Sequence, residues 1–156
     1  MRGFEIALDK NGNPQFEGTQ LPVYATKNSA CADFFCAEDI EIPSGFDKPT
    51  LVHTGVKACM EEDEVLEIYT RSSMPKKVGV LLANCVGIID ADYYNNPDND
   101  GEIMFAYYNL RPEPVVIKKG DRVGQGMFKK VLRPTINLRV EEEERKGGFG
   151  STDAKN

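Results

Sequence analysis

Two aspartates and a tyrosine end an apolar segment, and their types and spacing suggest chemistry more directly than any other residues. Residues 87–93 read GIIDADY, so on a regular strand Asp90 and Asp92 point to one face and Tyr93 to the other. Carboxylates can bind a metal ion or accept a proton. A pair on one face is otherwise unfavourable unless it is solvated or hydrogen-bonded. A solvated pair before a turn and a reactive pair are therefore both open interpretations.

The next oxygen-rich stretch, residues 96–102 (NPDNDGE), is similar to a calcium-binding loop. Oxygen-bearing side chains stand at alternate positions and a glycine follows, as the first half of an EF-hand loop requires. Position 12 of such a loop is a bidentate glutamate, but here it is Tyr107. We therefore predict an extended, solvated hairpin tip rather than a metal site.

The elements that must position these residues are predicted to be β-strands. No segment keeps the i, i+3, i+4, i+7 apolar spacing of a helix over three turns. Short alternating or apolar runs are separated instead by turn residues. The predicted strands include residues 4–8, 50–54, 65–69, 78–82, 103–109, 115–118, 123–130 and 136–140. This spacing favours an all-β sandwich, jelly roll or barrel.

Composition and charge exclude several classes of function. The 156 residues are 40% hydrophobic and 28% charged, which is typical of one globular domain. The net charge of −6 argues against a non-specific nucleic-acid binder, which needs clustered Lys and Arg. The sequence contains no apolar run of the roughly 20 residues that a membrane helix requires. Its N-terminus also lacks the pattern of a signal peptide, so we expect a cytoplasmic protein.

The four cysteines and the single histidine, His53, form no recognisable metal or catalytic pattern. No C-x-x-C pair is present, so we predict reduced and mostly buried thiols. His53 is interpreted as a structural or surface residue.

A glycine-rich segment near the end has a different composition. Residues 145–152 read RKGGFGST, with three glycines around one aromatic residue. Such a terminus is often a frayed tail. A lone Phe149 between glycines instead favours an arm that closes over a ligand.

Five blocks, in order along most of the chain, resemble those of the trimeric deoxyuridine triphosphate nucleotidohydrolase (dUTPase) family, particularly its Gram-positive bacterial and phage members. The order of the blocks is more specific than any one of them. The blocks are residues 30–34 (ACADF), 71–73 (RSS), 84–93 (NCVGIIDADY), 120–125 (GDRVGQ) and 145–152 (RKGGFGST).

This resemblance implies a jelly-roll-like domain at residues 1–144 and a flexible arm at residues 145–156. It further implies a homotrimer with three active sites at subunit interfaces, each closed by an arm. The implied reaction is attack of water on the α-phosphate of dUTP, which gives dUMP and pyrophosphate with Mg²⁺ on the phosphates. This activity limits uracil in DNA and supplies dUMP for dTMP synthesis.

The resemblance also assigns roles to individual residues. Asp90 is the implied general base, which orients the water and accepts its proton. Asp33 either reaches Mg²⁺ through a water molecule or is a buried structural carboxylate. The implied substrate-binding residues are Arg71, Ser72, Ser73 and Gln125 at the phosphates, Asn84, Gly87 and Ile89 at uracil, Tyr93 against deoxyribose, and Arg145, Phe149, Gly150, Ser151 and Thr152 in the arm.

Three features depart from the common pattern of the family. Cys31 replaces a glycine of the first block, and residues 94–100 include an insertion of about six residues after Tyr93. Arg145 stands one residue nearer the glycines than usual, so Arg145 and Lys146 compete for the phosphate role.

Two alternative functions remain open. A dCTP deaminase shares the fold that the resemblance implies, although it requires a catalytic glutamate and a different third block. A phage-type regulatory protein could keep the pocket as a dUTP sensor, with residues 94–100 as a surface for a partner protein.

Overall fold

The computed structural model describes residues 1–136, and this part of the chain is built almost entirely from β-strands. Two single turns of helix accompany them, a π-helical turn at Met74–Val78 and a 3₁₀ turn at Ala91–Tyr93. The strands are β1 (Gly3–Ile6), β2 (Val23–Tyr24), β3 (Ala32–Phe35), β4 (Ile40–Ile42), β5 (Gly45–His53), β6 (Val56–Cys59), β7 (Glu64–Tyr69), β8 (Val80–Leu82), β9 (Val86–Asp90), β10 (Met104–Asn109), β11 (Val115–Ile117) and β12 (Arg122–Lys130). The all-β prediction is confirmed.

The strands form four antiparallel sheets. The largest has the order β2-β3-β12-β7-β9, and a second has the order β5-β10-β8. Two strand pairs, β1-β6 and β11-β4, complete the set. Antiparallel sheets can keep one face on a core and the other in water, which suits the alternating sequence runs.

The core between the sheets is centred on aromatic side chains that are fully buried. Phe34 of β3 meets Phe105 of β10 edge to face, with ring centroids 5.6 Å apart. Gly124 of β12 lies against the same ring, and a Cβ there would be 1.9 Å from Phe105 Cε1. Strand β12 therefore needs a glycine at this position so that the backbone can approach the ring.

Most of the predicted strands are present in the structure. The predicted runs correspond in place to β1, β5, β7, β8, β10, β11 and β12. The predicted runs did not include β2, β3, β4 and β6. Strands β3 and β6 are largely buried on both faces, and β2 and β4 are only two and three residues long. Of the predicted strand 136–140, residues 137–140 lie outside the described residues. Within residues 1–136, no helix is long and apolar enough to span a membrane.

All four cysteines carry free thiols, as predicted, but the expectation that most are buried is wrong. Cys36 is buried, Cys31 and Cys59 are half-buried, and Cys85 is exposed. Cys85 lies in the turn between β8 and β9, where it has a positive φ of 60° and an exposed side chain.

Candidate active site

Arg71 lies directly beyond β7 and forms an ion pair with a carboxylate of β3. Its Nε donates to Oδ1 of Asp33 at 2.9 Å, and Nε of Arg122 lies 3.3 Å from Oδ2. Asp33 is only 6% exposed, so the two cations offset the cost of burying its charge. The Arg71 side chain is oriented by this pair and is still 28% exposed.

Gln125 of β12 lies beside the same cluster. It is opposite Asp33 of β3 on one side and Tyr69 of β7 on the other. Its Nε2 donates to the carbonyl oxygen of Thr70 at 3.1 Å, which holds the amide at the end of β7. The structure thus brings together Gln125 and Arg71, which the sequence places far apart.

A β-bulge explains why Arg122 joins this cluster. The register of β12 against β3 shifts between Arg122 and Gly124. Without an irregularity, Arg122 and Gln125 would face opposite sides because they are three residues apart. Here they lie opposite Phe35 and Asp33, which share one face. Sequence reasoning missed the role of Arg122 because the bulge that positions it has no clear sequence signal.

The two serines after Arg71 lie in the turn that leads into the π-helical segment. Ser72 is exposed, and the half-buried Ser73 has its Oγ 3.5 Å from Nη1 of Arg71. A cavity of about 740 Å³ opens beside them, and its lining includes Phe35, Arg71, Ser73, Lys77, Asp121 and Arg122. The three basic groups outnumber the two carboxylates beside them, Asp121 and the ion-paired Asp33, and this balance favours an anionic ligand.

Asp90 is the last residue of β9 and lies opposite Val65 of β7. The chain then leaves the sheet in the 3₁₀ turn, so the regular strand alternation does not extend to Asp92 and Tyr93. The pairing with β7 ends one residue short of Glu64, because the chain turns away at Ala91. Asp90 and Asp92 are nevertheless both exposed, and both line one cavity of about 630 Å³.

The residues expected to select uracil lie on and before β9, the edge strand of the five-stranded sheet. Asn84 is exposed in the preceding turn, and Ile89 is half-buried. Gly87 lies opposite Ile68, and a Cβ there would be 2.4 Å from Ile68 Cγ1. An edge strand presents backbone N–H and C=O groups outward, which suits recognition of a base edge.

Tyr93 is buried, with 5% of its surface exposed. Its hydroxyl donates to the carbonyl oxygen of Glu102 at 3.1 Å and accepts from Nδ2 of Asn99 at 2.7 Å. The phenol is therefore bound to the residues that follow it in the chain.

The expectation of an extended, solvated hairpin tip at residues 96–102 is wrong. Asn96 is 4% exposed, and Asp100 accepts hydrogen bonds from the backbone N–H of Leu8 at 2.7 Å and from Nζ of Lys57 at 2.8 Å. Lys57 also donates to Oδ1 of Asn95 at 2.6 Å. A nearly buried ammonium needs such partners, and the loop folds inward to supply them.

His53 also contacts this region. Its Nδ1 lies 2.9 Å from the carboxylate of Glu102, which is 2% exposed and accepts from Gly55 N–H as well. This hydrogen bond raises the pKa of His53, although burial acts in the opposite direction. The interpretation of His53 as structural fits these contacts, and its partner Glu102 was not foreseen.

The structure separates the predicted site residues into two groups within one chain. Asp90 is opposite Val65, whereas Arg71 follows Tyr69 at the far end of β7. Val65 and Tyr69 are about 13 Å apart at the usual strand rise. The predicted arm residues Arg145, Phe149, Gly150, Ser151 and Thr152 lie outside the described residues.

Comparisons with known proteins show similarity along nearly the whole chain. A family model described as dUTPase matches residues 17–153. The deoxyuridine 5′-triphosphate nucleotidohydrolase of Lactococcus lactis is 46% identical over 155 residues, which cover 99% of each chain. That of a Hydrogenobaculum species is 35% identical over 145 residues, covering 89% of this chain and 94% of its own.

Solved structures show the same similarity. The dUTPase of Streptococcus mutans is 42% identical, with a TM-score of 0.76 over 85% of this chain and 98% of its own. The dUTPase of Staphylococcus bacteriophage 80alpha is 19% identical, with a TM-score of 0.68 over 92% of this chain and 97% of its own. The second likeness is one of fold alone.

Proposed function

The chain belongs to the dUTPase family, and from its geometry we propose how its active site is assembled. It hydrolyses dUTP to dUMP and pyrophosphate, an activity that limits uracil in DNA and supplies dUMP for dTMP synthesis. The comparisons favour this function over a dCTP deaminase and over a dUTP-sensing regulatory protein.

The distance between Asp90 and Arg71 supports an active site that is shared between subunits. A general base and an arginine that binds phosphate must reach the same α-phosphate. Asp90 and Arg71, however, lie beside opposite ends of β7. The Asp90 end of one subunit therefore meets the Arg71 end of another. Repeated around a three-fold axis, this contact closes a homotrimer with three sites.

The phosphate half of the site is formed by Arg71, Ser72, Ser73 and Gln125. Arg71 acts as a planar donor clamp whose angle is set by Asp33, which accepts from its Nε. The serine hydroxyls and the Gln125 amide add neutral donors, and the amide is already held by the carbonyl oxygen of Thr70 before the substrate binds. Such prearranged donors stabilise developing charge without reorganisation in the transition state.

The other half orients water and selects the nucleoside. Asp90 is exposed at the end of β9, where its carboxylate holds a water molecule and accepts its proton as the new P–O bond forms. The outward backbone of β9 around Gly87 and Ile89, together with the Asn84 amide, binds the uracil edge. Tyr93 packs against deoxyribose and disfavours a 2′-hydroxyl.

The described residues do not form a protein-only magnesium site. Within residues 1–136, no group of three or more His, Cys, Asp or Glu side chains is placed to hold a metal ion. Both oxygens of Asp33 face arginines, which suits a structural carboxylate better than a ligand. We therefore infer that Mg²⁺ enters with the triphosphate, whose oxygens and bound water hold it. When bound, the ion neutralises phosphate charge.

Residues 1–144 form the domain, and residues 145–156 act as an arm that closes over the site. Phe149 stacks on uracil, while Gly150, Ser151 and Thr152 meet the phosphates together with Arg145 or Lys146. Closing such an arm excludes water and completes the donor set.

The cysteine thiols indicate the cellular compartment of the protein. Four free thiols suit a reducing compartment, which supports the cytoplasm.

A regulatory partner at residues 94–100 would have access mainly to exposed residues such as Pro97 and Asp98, because Asn96 and Asp100 are engaged within the chain.

The test of this function is a pyrophosphate-release assay with Mg²⁺ and dUTP, run beside UTP, dTTP and dCTP. We expect rapid turnover of dUTP and little of the other three. Ammonia release from dCTP, or equal turnover of all four nucleotides, would contradict the assignment.

A further inference from the structure

Residues 94–101 close a loop whose two ends, Tyr93 and Glu102, are joined by a hydrogen bond. The Tyr93 hydroxyl donates to the carbonyl oxygen of Glu102 at 3.1 Å and accepts from Nδ2 of Asn99 at 2.7 Å. A phenol has one proton to donate, so one donated and one accepted bond together define the direction of its C–O bond. The loop therefore sets the tilt of the Tyr93 ring.

Asn99 is itself held in place. Its Oδ1 accepts from the N–H of Gly101 at 3.1 Å, and its carbonyl oxygen accepts from the N–H of Glu102 at 3.0 Å and from Nε2 of Gln15 at 2.9 Å. Rotation of the Asn99 amide would break bonds on both of its sides. The Asn99 side chain is thus a fixed donor toward Tyr93 rather than one that adapts to it.

Lys57 of β6 holds the loop through hydrogen bonds from its ammonium group. Its ammonium donates to Oδ1 of Asn95 at 2.6 Å and to Oδ2 of Asp100 at 2.8 Å, and it lies 4.9 Å from the ring centroid of Tyr94. The Lys57 side chain is 7% exposed. An ammonium buried to this degree is costly without partners, so Lys57 and the loop stabilise each other.

We propose that Asn99 and Lys57 are positioning residues for the selection of deoxyribose over ribose. This inference rests on the proposed role of Tyr93 at the sugar. Because Tyr93 is 5% exposed, it contacts a ligand only through the atoms that its tilt leaves at the surface. A change of tilt alters the clearance at the 2′ position and hence the discrimination against UTP. The inserted loop thus holds Tyr93 in the orientation that the sugar site requires.

The test compares kcat/KM for dUTP with kcat/KM for UTP in the full-length protein. We expect Asn99→Ala to lower the dUTP/UTP ratio by about 3- to 10-fold, the effect of one neutral hydrogen bond. Adding Asn99→Ala to Tyr93→Phe should have no further effect on the ratio, because the phenylalanine already lacks the hydroxyl that Asn99 binds. The matched control is Asn28→Ala, an exposed turn asparagine between β2 and β3, at the opposite edge of the five-stranded sheet from β9, which should leave the ratio unchanged.

Lys57→Met provides an independent variant that removes the anchor but keeps the side chain's length. It should lower the ratio in the same direction, with the oligomer intact by light scattering. An unchanged ratio in both Asn99→Ala and Lys57→Met would overturn the inference, as would full additivity of Asn99→Ala with Tyr93→Phe. Tyr93→Ala distinguishes a failure of the sugar contact from a failure of the positioning role. If its ratio also equals that of the wild type, the proposed sugar contact of Tyr93 fails, whereas a reduced ratio there leaves the positioning inference alone in error.

Discussion

Asp90 and Arg71 lie at opposite ends of one strand, Asp90 beside Val65 and Arg71 two residues beyond Tyr69 of β7. The antiparallel pairing of β9 with β7 enforces this separation, since each residue of β9 has a defined partner on β7. A rigid sheet cannot bend to bring the two side chains onto one phosphate. The residues proposed for a single catalytic site are therefore presented on two different surfaces of the subunit.

Complementation between inactive variants should follow from this arrangement. We expect Asp90→Asn to lower kcat by roughly 10²- to 10⁴-fold through loss of the base. Ser72→Ala should lower it by roughly 10²- to 10³-fold through loss of a phosphate donor. Equimolar co-expression of the two variants should restore about one quarter of wild-type activity, because a shared site works when Asp90 comes from one variant and Ser72 from the other.

The control for this experiment is the double variant with both substitutions in one chain. The double variant expressed alone should remain inactive. Co-expressed with wild type, it should give only the activity of those sites in which both residues come from wild-type chains. Activity of the mixed variants no greater than the sum of the separate ones would mean that each site is built within a single chain.

Asp33→Asn should distinguish an ion-pair role from a metal role. The amide keeps the shape but loses the charge that faces Arg71 and Arg122, so we expect the free energy of unfolding to fall by roughly 1–3 kcal/mol. The KM for dUTP should rise because Arg71 loses its orientation, while the Mg²⁺ concentration for half-maximal activity should stay the same. A large shift in that Mg²⁺ requirement would favour Asp33 as a ligand through water.

Gly124→Ala should destabilise the core strongly. The new Cβ would lie 1.9 Å from Cε1 of Phe105, and that ring is fully buried. We expect a loss of about 1–3 kcal/mol or more in urea unfolding, as is usual for overpacking. Gly3→Ala is the matched control, because its Cβ would meet only Cys59 Sγ at 4.0 Å, and its stability should change little.

The pH dependence of stability should carry a contribution from His53. The hydrogen bond that His53 Nδ1 donates to the Glu102 carboxylate raises the pKa of His53 in the folded protein above its usual value of 6.5. A group of this kind stabilises the fold fully below its unfolded pKa and loses that contribution as the pH rises through its folded pKa. The difference in unfolding free energy between wild type and His53→Gln should therefore grow from pH 8 to pH 6. The chain has one histidine, so no other histidine can produce this pH dependence. A difference in unfolding free energy that stays constant between pH 8 and pH 6 would show that the His53–Glu102 pair makes no such contribution.

Removal of residues 145–156 should impair catalysis without dissolving the oligomer. We expect kcat to fall by orders of magnitude because the truncated protein would lack the donors and the exclusion of water that we propose for the arm. Size-exclusion chromatography with light scattering checks that the trimer remains. An unchanged kcat in the truncated trimer would reject the arm as a lid, and Phe149→Ala tests the stacking contact separately.

Much of the fold and family could be predicted from the amino-acid sequence. The alternation of Phe4, Glu5 and Ile6 in β1 has the period of a half-buried strand, and that periodicity is a local property. The five blocks identified the family because their residue types and order are specific. Strands buried on both faces, such as Ala32–Phe35, were missed because burial on both sides removes the alternation.

Contacts between distant residues depended on the tertiary structure. The β-bulge that brings Arg122 onto Asp33, the burial of Lys57 against Asp100, and the closing of the loop onto Tyr93 each join positions with no sequence relationship. The sequence by itself determined which residue types stand at the reacting positions. Only the tertiary structure decided that Asp90 and Arg71 face different neighbours, because strand register, a long-range pairing, sets the distance between them.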